Sequence, residues 1–158
     1  MRMVSEMLRR VRRIADYQFG EGAGEALFPD NCEFILSSTG KIRQILEEGK
    51  RIATLRAECG LLTLSIYGAR KLHSKIPPPR LRVFVNSEAA PFVADGKNVF
   101  SKHVLRCDEN IRALDEVLVV DEDDRLLATG RAVLSSCEMG VFKRGMAVSV
   151  RESIKKEV

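Results

Sequence analysis

Apolar and polar residues follow two different rhythms along this chain. Met3, Val4, Met7, Leu8, Val11, Ile14 and Ala15 recur at helical spacing, while Arg9, Arg10, Arg12 and Arg13 fall on the opposite side of the wheel. This pattern predicts an amphipathic helix over Met3 to Asp16 with its arginines in solvent. Gly20, Gly22 and Gly24 then break the regularity and predict a loop. Four short apolar-bearing segments follow: Cys32 to Ser37, Lys41 to Glu47, Arg51 to Arg56 and Leu61 to Ile66. The turn signals Thr39-Gly40, Glu48-Gly49 and Cys59-Gly60 separate them, so an antiparallel meander is the economical reading, with the helix covering its apolar face. Tyr67 to His73 suits a short helical turn. Pro77-Pro78-Pro79 predicts a stiff extended spacer, and hence a boundary between one domain over residues 1–76 and another over 80–153.

Downstream, the period shifts to that of strands. Leu81 to Val85 is strand-like, and Ser87 to Gly96 reads as a helix with Ser87 as N-cap, Pro91 early and Gly96 closing it. Strands are expected over Val99 to Cys107, Asp115 to Val120, Arg125 to Leu134 and Met146 to Val150, with Asp121 to Asp124 as a solvated acidic hairpin turn. Short strands with one early helix predict a barrel rather than a layered sheet. The fold class is therefore α+β: an N-terminal helix on a small antiparallel sheet, then a β-barrel.

Composition changes this picture mainly by exclusion. With 45% apolar and 30% charged residues in 158, the chain is that of a folded protein. No apolar run nears the roughly 20 residues that span a bilayer, and the arginines after Met7 interrupt any secretory core, so a cytoplasmic setting is expected. Cys32, Cys59, Cys107 and Cys137 have no zinc-knuckle or CxxC spacing, and His73 and His103 stand in unrelated contexts. They read as reduced thiols, with no metal site. The GEGAGE run has no P-loop lysine after it and carries repelling Glu21 and Glu25. There is no GxSxG elbow and no nucleophile-base pair. No catalytic residue and no cofactor are expected. The net charge of +4 is compatible with a polyanionic partner.

The residues Gly96-Lys97-Asn98-Val99-Phe100 with Lys102, the run Asp115 to Asp124, Gly130-Arg131-Ala132 and Lys143-Arg144-Gly145 resemble the PUA family of RNA-binding domains. They are most similar to the C-terminal domain of the archaeal tRNA-guanine transglycosylases that begin archaeosine synthesis. Upstream, Ala15 to Pro29 and Ser38 to Arg56 resemble the small domain that precedes it in those enzymes and in archaeosine synthase. The resemblance implies a PUA-type barrel and a non-catalytic RNA-binding module. It further implies that tRNA is the partner, held by its acceptor stem and 3′ end, in connection with tRNA modification. The catalytic barrel of those enzymes has no counterpart here, which implies a module that either stands alone or serves a separate catalytic subunit in trans. The alternative is an adaptor that docks on a modification enzyme or the ribosome. On the resemblance, the RNA-binding residues are Gly96, Lys97, Phe100, Lys102, His103, Arg131, Lys143 and Arg144, while Arg9, Arg10, Arg12 and Arg13 are either the solvated side of the first helix, the favoured reading, or an extension of that footprint. Cations neutralise phosphates and rings stack on unpaired bases, and a glycine lets backbone amides approach closely. Phe100 lies where a barrel aromatic is ordinarily core. His103 stands in FSKHV where those enzymes are expected to carry phenylalanine.

Overall fold

The structure is a computed structural model that describes residues 5–156. It divides into two compact units, Met1–Ile76 and Pro77–Val158. In the first, helix α1 (Glu6–Phe19) begins where Ser5 accepts a hydrogen bond from Leu8 N at 3.1 Å. This cap starts the helix later than the apolar pattern suggests, and Met3 and Val4 lie outside the described residues. Leu8, Val11, Ala15 and Phe19 form its buried stripe. The expected glycine loop contains a second helix, α2 (Ala23–Leu27). Asp16 Oδ1 accepts from Gly24 N at 2.7 Å, which supplies a partner for α2's first turn. A Cβ at Gly24 would sit 2.4 Å from Arg12 O, so only glycine lets these two helix backbones approach so closely. Arg12 also departs from the solvated reading. Its guanidinium donates twice to Phe28 O, at 2.9 and 2.7 Å, and once to Asp30 Oδ1 at 3.1 Å, tying α1 to the chain that leaves α2.

The meander forms as the turn signals predict. Strands β1 (Glu33–Leu36), β2 (Ile42–Glu47), β3 (Lys50–Leu55) and β4 (Leu62–Leu64) lie in sequence order, each antiparallel to the next. Gln18 clamps α1 to the β4 edge, its amide nitrogen donating to Leu62 O at 2.9 Å and its oxygen accepting from Leu62 N at 2.8 Å. The predicted single turn is a ten-residue helix, α3 (Ile66–Lys75), because Ser65 caps it by accepting from Gly68 N at 3.0 Å. Lys71 pairs with Glu47, and Tyr67 Oη donates to the same carboxylate at 3.1 Å. The lysine's hydrogen bond holds the Glu47 carboxyl below its usual range.

The three prolines do not form an extended spacer. Pro78 to Leu81 is a turn closed by Arg80 N donating to Pro77 O at 3.2 Å and Arg82 N to Pro79 O at 3.0 Å. The second unit then builds one six-stranded sheet from β5 (Arg82–Val85), β6 (Val99–Phe100), β7 (Val104–Cys107), β8 (Glu116–Val120), β9 (Leu126–Ala132) and β10 (Met146–Ser153). Their order is β6-β10-β9-β8-β5-β7, with β5 and β8 parallel and all other pairs antiparallel. The expected strand Val99 to Cys107 is broken by a 3-10 turn at Ser101–His103, so the two edge strands follow each other directly and the sheet rolls into a nearly closed mixed barrel. Val83, Val85, Val117, Val119, Ala128 and Val148 fill its core. Helix α4 is shorter than read, Ala90–Ala94, and Ser87 is not its cap. The cap position is Ala89, and Asn86 closes the turn before it, its Oδ1 accepting from Ala89 N at 2.9 Å. A further short helix, α5 (Ser136–Val141), starts on a capping box in which Ser135 and Glu138 bond each other's backbone amides. The acidic turn is only partly solvated: Asp124 pairs at 2.7 Å with the buried Arg82. No helix among the described residues is long and apolar enough to cross a membrane.

Burial sorts the four thiols. Cys59 and Cys137 are exposed, whereas burial pushes the Cys32 thiol up to about 11 and raises that of Cys107. Alkylation near neutral pH proceeds through the thiolate. Peptide mass spectrometry of briefly iodoacetamide-treated native protein should therefore find Cys59 and Cys137 modified well before Cys32. Modification of Cys32 first would contradict the packing of unit one.

Candidate nucleic-acid interface

The linkage between α4 and the 3-10 turn creates the most distinctive surface of the second unit. Asn86 occupies its centre: its side chain closes the turn leading into α4, its backbone N–H donates to His103 O at 3.0 Å, and its Nδ2 lies 3.4 Å from His103 Nδ1. After α4 the chain turns at Gly96 with φ 103°, a conformation that side chains rarely tolerate. Asn98 then fixes the following segment, its Oδ1 accepting from Val150 N at 2.9 Å. These bonds enclose a hollow of about 360 Å³, lined by Phe92, Lys97, Asn98, Phe100, Lys102 and His103 along with Ala89 and Val93.

The hollow combines bare aromatic surface with unpaired charge. Phe92 is 62% exposed and Phe100 is 45% exposed, so Phe100 is not the core residue that a barrel aromatic ordinarily is. Its strand is only two residues long and lies at the sheet edge, where one face is left to solvent. Lys97 and Lys102 are exposed, and among the described residues neither has a carboxylate partner. Two rings and two ammonium groups around an open cavity suit a ligand with a flat apolar face and negative charge.

Of the residues that sequence reasoning named, Lys97, Phe100, Lys102 and His103 line the hollow together, and Gly96 makes the turn that precedes it. Phe92 was not among them. Lys143 and Arg144 do not line the hollow, but they border it: Gly145 O accepts from Ser101 N at 2.9 Å, and Met146 stands opposite Phe100 in the β10–β6 register. Both are exposed. Arg131 stands apart on β9, opposite Glu116 and Ser149 and two strands from β6, so it is not part of this cavity. Arg106 is engaged elsewhere, its guanidinium lying 4.0 Å above the Phe84 ring.

The family model described as the patch-forming domain C2 of tRNA-guanine transglycosylase matches residues 9–79, and that of the PUA domain matches residues 81–154. The chain is a C2 domain followed by a PUA domain. Curated relatives agree. A tRNA-guanine(15) transglycosylase of Thermococcus kodakarensis is 52% identical over 151 residues, 96% of this chain and 26% of that protein. One of Pyrococcus furiosus is 53% identical over 147 residues, 93% of this chain and 25% of the relative. The chain thus spans about a quarter of the length of the curated relatives it matches. Among solved structures, a hypothetical protein of Pyrococcus horikoshii superposes with a TM-score of 0.73 at 25% identity, covering 94% of this chain and 90% of the other. A conserved PUA domain protein of Thermoplasma acidophilum shares the fold, with a TM-score of 0.64 at 21% identity over 92% and 89% of the two chains. The hollow therefore belongs to the PUA domain, on the side where α4 meets the corner between its two edge strands.

Proposed function

We propose that the chain is a non-catalytic RNA-binding module that holds the unpaired 3′ end and acceptor stem of a tRNA during tRNA modification, in the archaeosine pathway. The observation that carries this reading is the hollow itself, where Phe92 and Phe100 lie exposed beside two unpaired lysines. Phe100 and Phe92 offer stacking faces to splayed bases, and Lys97 and Lys102 neutralise the phosphates between them. His103 adds a ring with polar edges, and Gly96 carries no Cβ to obstruct a phosphate. Lys143 and Arg144 extend the cationic rim toward the paired stem, and Arg131 contributes only long-range field from its separate place on β9. The likeness to the transglycosylases supports tRNA as the class of RNA. The chemistry on that tRNA belongs to a catalytic domain of a different kind from these two modules, served in trans where it is a separate subunit.

A gel shift with full-length tRNA and with tRNA trimmed of its unpaired 3′ nucleotides tests this. If about four phosphates are neutralised, affinity falls roughly a hundredfold between 50 and 200 mM salt. Trimming weakens binding, and Lys97→Gln with Lys102→Gln removes the difference between the two RNAs. Salt-insensitive binding, or equal affinity for both RNAs in the unaltered protein, would overturn the reading.

A further inference from the structure

The positive charge of this protein does not come from its PUA domain. Residues 77–158 hold thirteen Lys and Arg against thirteen Asp and Glu, whereas residues 1–76 hold thirteen against nine, so the whole +4 excess lies in the first unit. Helix α1 concentrates it. All four of its cations are arginine, and once Arg12 is committed to Phe28 O and Asp30, three remain on the outer surface. Arg9 makes only a 3.5 Å contact with the highly exposed Glu6. Arg10 and Arg13 have no partner among the described residues. Asp16, the only other acid on the helix, is bonded to Gly24 N.

This arrangement disfavours the helix on its own terms. Arg9 and Arg13 are four residues apart and Arg10 and Arg13 three, so like charges face each other across about 6 and 4.5 Å of helix rise. A merely solvated face gains stability from alternating signs, and beyond the Glu6–Arg9 contact this one has none. Such local conflict with little compensating contact is expected where a ligand shapes a surface. Arg9, Arg10 and Arg13 line a depression of about 800 Å³ together with Glu6, Met7 and Ile14. Tyr17, one turn beyond Arg13, is 86% exposed. Planar guanidinium forks match phosphate oxygens bidentately, which an ammonium cannot do.

We propose that the outer face of α1 is a second RNA-contact surface, in which Arg9, Arg10 and Arg13 grip the sugar-phosphate backbone of a double-helical stem and Tyr17 packs against it. This rests on the reading that the partner is RNA, and it assigns to the C2 domain a paired region in addition to the unpaired end and adjoining stem held by the PUA domain. Without base-edge groups of its own the surface is indifferent to sequence.

Fluorescence anisotropy with the full chain, a tRNA transcript and a short blunt RNA duplex tests it. The variant Arg10→Gln with Arg13→Gln should weaken binding of both RNAs about tenfold at 100 mM salt and lower the log-log salt slope by about two. It keeps its preference for tRNA with an intact 3′ end, which shows that it is folded. Lys97→Gln with Lys102→Gln weakens binding of tRNA with an intact 3′ end more than it weakens binding of the blunt duplex. Should the arginine variant bind both RNAs like the unaltered protein, the α1 surface is wrong while the hollow stands. Absence of RNA binding by the unaltered protein sinks both. Loss of capture of an acidic protein without change in RNA affinity would make α1 a protein-docking face and overturn the inference.

Discussion

Asp124→Asn lowers the stability of the PUA domain by about 3 kcal/mol, the cost typical of stripping one partner from a buried ion pair. Arg82 is 1% exposed, the largest fully buried side chain among the described residues, and its Nε donates to Asp124 Oδ1 at 2.7 Å. A second donation runs from Nη1 to Arg80 O at 3.0 Å. Asparagine preserves shape and tolerates the left-handed backbone at this position, where φ is 61°. The substitution therefore isolates the charge. The buried guanidinium then loses its charged partner, a cost that a neutral amide only partly offsets. For a domain of this size the thermal midpoint falls by about 15 °C. Arg82→Met combined with Asp124→Asn recovers much of the loss, because removing both charges together is far cheaper than orphaning one. Denaturation followed by circular dichroism distinguishes these cases, and a midpoint within a few degrees of the unaltered protein would show that the pair holds nothing together.

That ion pair illustrates what a sequence does not disclose. The acidic turn was legible from Asp121 to Asp124 as a hairpin, but Asp124 serves an arginine 42 positions earlier, at the first residue of β5, where strand alternation alone suggests a solvent-facing side chain. Elements marked by local chemistry were readable: the meander from its three glycine turns, and the barrel from the order of its strands. Elements defined by tertiary context were not. The run Phe100 to Val104 continues a strand pattern, yet Ser101–His103 breaks because the chain must cross from one barrel edge to the other there. Helix α5 had a signal that went unread, the Ser135 to Glu138 capping box. The site was half legible for the same reason. Lys97, Phe100, Lys102 and His103 follow closely on Gly96 in sequence and so share one cavity. Phe92 belongs to a five-residue helix too short to show a period, and its exposure follows only from how α4 lies on the barrel. Arg131 was attached by resemblance alone, and strand order moves it away.

The hollow depends on a strand that never touches it. At Gly130 an added Cβ would lie 2.1 Å from Ser149 O and 2.9 Å from Val150 Cα, both backbone atoms of β10, so no side-chain rotation relieves the clash. Gly130→Ala must push β9 and β10 apart, at a cost of about 3 kcal/mol by comparison with overpacked cores. The opposite edge of β10 carries β6 through Val148 opposite Val99 and Met146 opposite Phe100, while Gly145 holds Ser101. Displacing β10 therefore moves the wall that presents Phe100 and Lys102. The expected outcome is a lowered melting temperature together with weaker tRNA binding at a temperature where the variant is still folded, although Gly130 contacts no ligand. Gly140→Ala provides the matched control: its Cβ would enter open space on α5, and alanine is favoured over glycine in a helix by about 1 kcal/mol. If Gly130→Ala melts and binds like Gly140→Ala, then β9 and β10 are not as closely apposed as described, and the rigidity of the hollow has another source.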